Sequence, residues 1–157
     1  MITITIPVKG ILDSVNSKTY YIGESYKKKD IDFCDVQTSG DNADELTTYI
    51  ETAINEIVGN LTKRVNDIEF DITDKIVISF NPFNRVPGNY EVVAKMLSKA
   101  IEDYAVNYTT YQWLNTVKPD IAAPIFSLLD KNMSQVYKYI GMLSDMVRRR
   151  ATDLAGI

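Results

Sequence analysis

The chain has 157 residues, 45% of them hydrophobic and 24% charged, with a formal net charge of −4. That composition suits one globular domain able to bury a core without cross-links. With no histidine and a single cysteine, Cys34, the chain excludes Ser–His and Cys–His nucleophilic systems, an internal disulfide framework and a Cys/His zinc site.

No run approaches the ~18 apolar residues of a membrane span, and MITITIPVKG lacks the basic region that opens a signal peptide. Residues 1–74 hold 14 acidic and 7 basic side chains, net −7; residues 75–157 hold 7 and 10, net +3. The split is read either as a chance distribution of solvated charge or as two faces that meet on neighbouring copies.

In chain order, ITITI (residues 2–6) alternates β-branched residues and predicts a short strand ended by Pro7. Ile11, Leu12, Val15, Tyr20 and Ile22 predict a short helix over about 9–22, and the mixed-charge stretch 23–40 a long loop with an extended piece at Ile31–Phe33. Asp41 or Asn42 is expected to cap a helix over 41–65, with Asp44 and Glu45 favouring its dipole. Its apolar stripe is Leu46, Tyr49, Ile50, Ala53, Ile54, Ile57, Val58, Leu61 and Val65; Gly59 is expected where another backbone comes close.

The period then changes to two. DIEFDI (67–72) sets Ile68, Phe70 and Ile72 against Asp67, Glu69 and Asp71, and IVISF (76–80) reads as buried on both faces. Joined by Thr73–Lys75, they predict a β-hairpin within 66–81. After a turn-rich connector, Asn89 is expected to cap a helix to about Val117, with its stripe running from Tyr90 through Leu97, Ile101, Tyr104, Tyr108 and Tyr111 to Leu114. Lys118–Pro119 ends it, and Asp120 is expected to cap a last helix to about 150, with Pro124 in its first turn. Two helices of about 30 residues joined by so short a link must fold back antiparallel, each about 40–45 Å long. The expected fold is therefore mainly α (α+β): one domain over 1–157, an antiparallel helical bundle with two long C-terminal helices over 89–150 and a small β-hairpin.

Chemistry is sparse. Asp67, Glu69 and Asp71 follow the alternation of a solvent face rather than the paired geometry of a hydrolase. DIEFDITDK lacks the calcium-loop glycine and glutamate, and no phosphate-binding glycine loop is present. No catalytic, cofactor-binding or metal residue is assigned, and no enzyme activity is expected. Lys27, Lys28 and Lys29 form one basic cluster and Arg148, Arg149 and Arg150 another. Each is read as a helix-end complement to the dipole or as a phosphate or partner contact. Ten tyrosines, with Tyr90, Tyr104, Tyr108 and Tyr111 on one helix and Tyr137 and Tyr139 on its neighbour, favour surfaces that bury a ring and keep a polar tip. Trp113, one turn before the break, is read as a plug for the helical hairpin or as an anchor on a partner.

The order of elements, with "ILDSV…KTYYIGE" ahead of an amphipathic helix, an acidic hairpin, then "DYAVNYTTYQWLNTVKPDIA" and a helix running into "RRR", resembles neck or head–tail connector proteins of tailed bacteriophages. The likeness is to small virion proteins of phages of Bacteroidota, including the crAss-like group. It rests on Tyr104, Tyr108, Trp113, Leu114, Pro119 and Ala122 within most of the chain. The resemblance implies a non-enzymatic virion component, assembled in the host cytoplasm as a multi-copy ring, often of twelve. Such a ring joins portal to other neck or tail proteins and meets DNA only as it passes along the channel, with no membrane, cofactor or small-molecule substrate. Closed rings use heterologous contacts, which the charge split would suit. The alternatives from the residues alone are, first, a small cytosolic helical protein-binding module and, second, an enzyme using carboxylates alone.

Overall fold

The Ile–Thr alternation at the start of the chain does form a strand, β1 (Ile2–Pro7), with Ile2, Ile4 and Ile6 buried and Thr3 and Thr5 exposed. In this computed structural model the described residues are 1–27, 36–83 and 90–155, and for 27 and 144–155 the backbone alone is described. Helix α1 (Val8–Lys27) follows at once. It extends a turn and more beyond the predicted end, so 23–27 are helical rather than loop; the extended piece expected at Ile31–Phe33 lies outside the described residues.

A single 3₁₀ turn (Gly40–Asn42) leads into α2 (Ala43–Leu61). Asn42 does stand at the N-cap. Its side chain turns backward, however, accepting from the Ser39 amide at 3.0 Å. The helix ends four residues earlier than its stripe predicted. The Thr62 hydroxyl donates to the Gly59 carbonyl at 2.7 Å and the Arg64 amide closes a turn on Leu61, so Val65 is free to open a strand. Gly59 has open space where a Cβ would stand. Close backbone approach is therefore not its reason, and its carbonyl serves the helix end instead.

The hairpin is present as β2 (Val65–Ile72) and β3 (Lys75–Pro82), but β1 also joins it. The sheet is antiparallel, ordered β1-β3-β2, with Ile4 opposite Ile78 and Phe70 opposite Ile78 on the other side. Pro7 does not stop short of the sheet but pairs opposite Lys75. Only one face of β3 is fully buried (Ile76, Ile78 and Phe80), while Val77 and Ser79 are half-buried. No second layer covers the outer face among the described residues, and Thr3 and Ser79 hydrogen-bond across it at 3.0 Å. β2 carries a bulge between Asn66 and Glu69, with Asp67 at φ +51°. The left-handed region suits an aspartate better than most residues, and Asn81 donates to its Oδ2 at 3.1 Å.

Helix α3 (Tyr90–Val117) has 28 residues and α4 (Ala123–Ala155) has 33, so they run about 42 Å and 50 Å. The two long helices pack together, and α3 also touches α1, α2 and β1. The fold is thus mainly helical α+β: among the described residues, four helices and a small three-stranded antiparallel sheet surround one core. Asn89 lies outside the described residues. Asp120 does not cap α4: Pro119, with its fixed φ, sets up a 3₁₀ turn over Pro119–Ile121 that contains it, and the helix proper starts after Ala122.

Candidate functional site

Between Tyr104 and Leu114, α3 is buried almost all round. Besides the predicted stripe, Ala105, Val106, Asn107, Thr109 and Thr110 are covered. Small and β-branched side chains let α1, α2 and α4 approach this one helix from several sides. The 14 positions from Tyr104 to Val117 hold no charged residue, which is the signal that the stripe alone missed.

Burying polar groups there requires partners. Lys18 of α1 donates to Asn107 Oδ1, and Asn107 Nδ2 donates to Asn132 Oδ1 of α4 at 2.6 Å, so three helices share one polar chain. Burial lowers the pKa of the Lys18 ammonium, with the Asp103 carboxylate opposing the shift. Thr109 Oγ1 is buried with no partner among the described residues.

Trp113 is 8% exposed. Its indole N–H donates to the Val36 carbonyl at 2.7 Å, fastening the segment that precedes α2. The same segment is held a second time: the Thr38 amide donates to Thr19 Oγ1 at 3.0 Å, while that hydroxyl donates to the Val15 carbonyl of α1. The tryptophan therefore ties a distant stretch of chain to α3, and little of it is left for a neighbour to grip.

The tyrosines divide by depth. Tyr104 is 4% exposed and stacks on half-buried Tyr108 at 5.9 Å between ring centroids. Burial raises the Tyr104 hydroxyl well above the ordinary tyrosine value, and the Glu56 carboxylate adds to it; the same two causes raise Tyr108 less. Tyr111 lies against Phe126 of α4 at 5.1 Å. The Arg64 guanidinium sits over the Tyr137 ring at 3.9 Å. Tyr111–Phe126 joins α3 to α4, Arg64–Tyr137 joins the turn after α2 to α4, and the Tyr104–Tyr108 pair lies along α3 itself, with only Tyr104 fully buried. Of the basic candidates, Lys28 and Lys29 lie outside the described residues, as do the side chains of Lys27, Arg148, Arg149 and Arg150.

Asp67, Glu69 and Asp71 are exposed on β2, and among the described residues no cluster of acidic or cysteine side chains could hold a metal ion. No helix is long and apolar enough to cross a membrane among the described residues. An open groove of about 340 Å³ lies between α1 and the start of α4, lined by Tyr21, Ile22, Tyr26, Ile121 and Ile125. Among the described residues the surface presents the outer edge of β1, an acidic outer edge on β2 and apolar side chains on the long helices. Comparison with protein-family models, with curated proteins and with solved structures finds no match to this chain.

Proposed function

We propose that this chain is a structural virion protein of a tailed phage, assembling in many copies as a neck ring between portal and tail. The observation that carries the reading is the outer surface of the long helical hairpin. Val92 (61% exposed) and Met96 stand one turn apart on α3, and Phe126 (55% exposed) stands on α4. Apolar side chains left in water along rods of this length are suited to side-by-side contact with neighbours. The resemblance in the order of elements and the −7/+3 division of charge support the same reading, since a ring needs one patch to meet a different patch on the next copy.

Electron microscopy and mass photometry of the purified chain, alone and mixed with a phage portal ring, test the proposal. Rings of uniform size, seated on the portal, are expected. Val92→Glu with Met96→Glu should leave the protomer folded, because both residues are exposed, and should prevent ring formation. A protomer that stays monomeric and ignores the portal refutes the neck role and favours a protein-binding module instead.

A further inference from the structure

The two edges of the sheet are built differently. On β2 the outer edge carries a bulge, a residue at positive φ and the acidic run Asp67, Glu69 and Asp71. These are the devices by which edge strands avoid pairing with other chains. β1 has none of them. From Ile2 to Ile6 it is regular, uncharged and wholly β-branched, and among the described residues no strand pairs with its outer side.

The register fixes which main-chain groups face outward. The Val8 amide donates to the Asp74 carbonyl at 3.0 Å, so the N–H of Val8 points toward the β3 side. Alternation then turns Ile2, Ile4 and Ile6 toward β3, and Thr3, Thr5 and Pro7 toward the open side. Two further facts agree. Pro7, which lacks an N–H, is tolerated where the amide would face solvent. The hydroxyls of Thr3 and Ser79 approach to 3.0 Å, as close side chains in a non-hydrogen-bonded pair do. Beside this edge lies a groove of about 440 Å³, walled by β1 and by Tyr90, Glu91, Ala94, Lys95 and Ser98 of α3.

Residues 2–6, Ile-Thr-Ile-Thr-Ile, read the same in both directions. An antiparallel strand from a second copy, centred on Ile4, therefore sets Thr3 against Thr5 of the second copy and Thr5 against its Thr3. Both outward-facing threonines then exchange N–H and C=O bonds. Isoleucine meets isoleucine on the core face, above the groove, and threonine meets threonine on the outer face, a favourable cross-strand pair. Residues 2–6 bring no charge to the seam, and the two charged side chains at the groove, Glu91 and Lys95, are of opposite sign. The joined sheet runs β2-β3-β1-β1-β3-β2, so both of its remaining edges are the guarded, acidic ones and growth stops at two.

From this we infer that β1 is a homotypic docking edge through which two copies of the chain pair as a two-fold dimer. The inference does not rest on the neck-ring reading and is tested on the isolated chain. Sedimentation equilibrium should show a concentration-dependent dimer. Amide exchange at Thr3 and Thr5 should slow as concentration rises, while Ile4 and Ile6, already bonded to β3, stay unchanged. Thr3→Lys with Thr5→Lys places like charges opposite one another and should weaken the dimer roughly tenfold or more. Thr3→Lys with Thr5→Glu, carrying charges at the same two exposed positions, places opposite charges together and should restore it. A chain that is monomeric throughout, a dimer indifferent to the Lys/Lys variant, or exchange at Thr3 and Thr5 that ignores concentration would each overturn the proposal. The exchange measurement needs no variant and so decides the matter even if a substitution unfolds the chain.

Discussion

Replacing Trp113 separates two contributions that the structure places on one side chain. The ring is 8% exposed, so Trp113→Ala empties most of a large aromatic site. Losses of this kind cost about 3–5 kcal/mol. Trp113→Phe keeps a buried ring but removes the indole N–H, leaving the Val36 carbonyl without its donor. An unpaired buried acceptor costs about 1–3 kcal/mol. In a domain of this size 1 kcal/mol moves the melting temperature by about 2–4 °C. The alanine variant should therefore melt about 10 °C lower and the phenylalanine variant a few degrees lower. Native-state hydrogen exchange adds a local reading. In Trp113→Phe the amide of Thr38 should exchange faster, since one of the two attachments of its segment is gone, while amides in the middle of α3 should follow the global loss alone. An alanine variant with the wild-type melting temperature would refute the reasoning. So would a phenylalanine variant in which Thr38 is as protected as before.

Two further outcomes follow from single residues. Burial and the Glu56 carboxylate raise the Tyr104 hydroxyl above its ordinary value of 10.0. The unfolded chain thus releases that proton first, and stability should be complete below that value and decline as pH rises above it. Tyr104→Phe should flatten the decline in urea melts; an unchanged alkaline slope would show that the group is not buried in solution. At the β2 bulge, Asp67 has φ +51°. Asp67→Val should cost about 1–2 kcal/mol, whereas Asp67→Gly, which relieves the strain but loses the Asn81 bond, should cost less. Equal losses in thermal melts would mean that backbone conformation is not what selects this residue.

The helices were legible because each has a core side repeating every three or four residues. Leu46, Ile50, Ala53, Ile54, Ile57, Val58 and Leu61 of α2 and Ile125, Leu129, Val136, Ile140 and Leu143 of α4 are buried at helical spacing. The same rule overran at Val65, which continues the α2 stripe by position but is a strand residue: Thr62 and Arg64 close the helix with bonds that a stripe does not encode. β1 was visible as an alternating strand, yet its partner was not, because pairing Thr3 with Ser79 spans 76 residues and no local pattern carries that information. The tyrosine-rich character of α3 was also readable. The Lys18–Asn107–Asn132 chain was not, since isolated polar residues on separate helices have no period. The attachment of Trp113 to Val36 was hidden for the same reason, although the tryptophan itself stood out as a residue in need of burial.

β3 lies between β1 and β2 in the sheet but is the last of the three to be synthesised. As the chain leaves the ribosome N-terminus first, β1 and the apolar side of α1 emerge with no hydrogen-bonding partner and wait for Lys75–Pro82. Closing so long a loop costs about 4 kcal/mol of chain entropy before the first β1–β3 contact returns anything, which makes the sheet a late event in folding. A nascent chain stalled before residue 75 would thus display Ile-Thr-Ile-Thr-Ile with both sides open, the form most prone to pair with its neighbours on the same message. The arrival of β3 is the step that turns a two-sided hazard into a single, addressable edge.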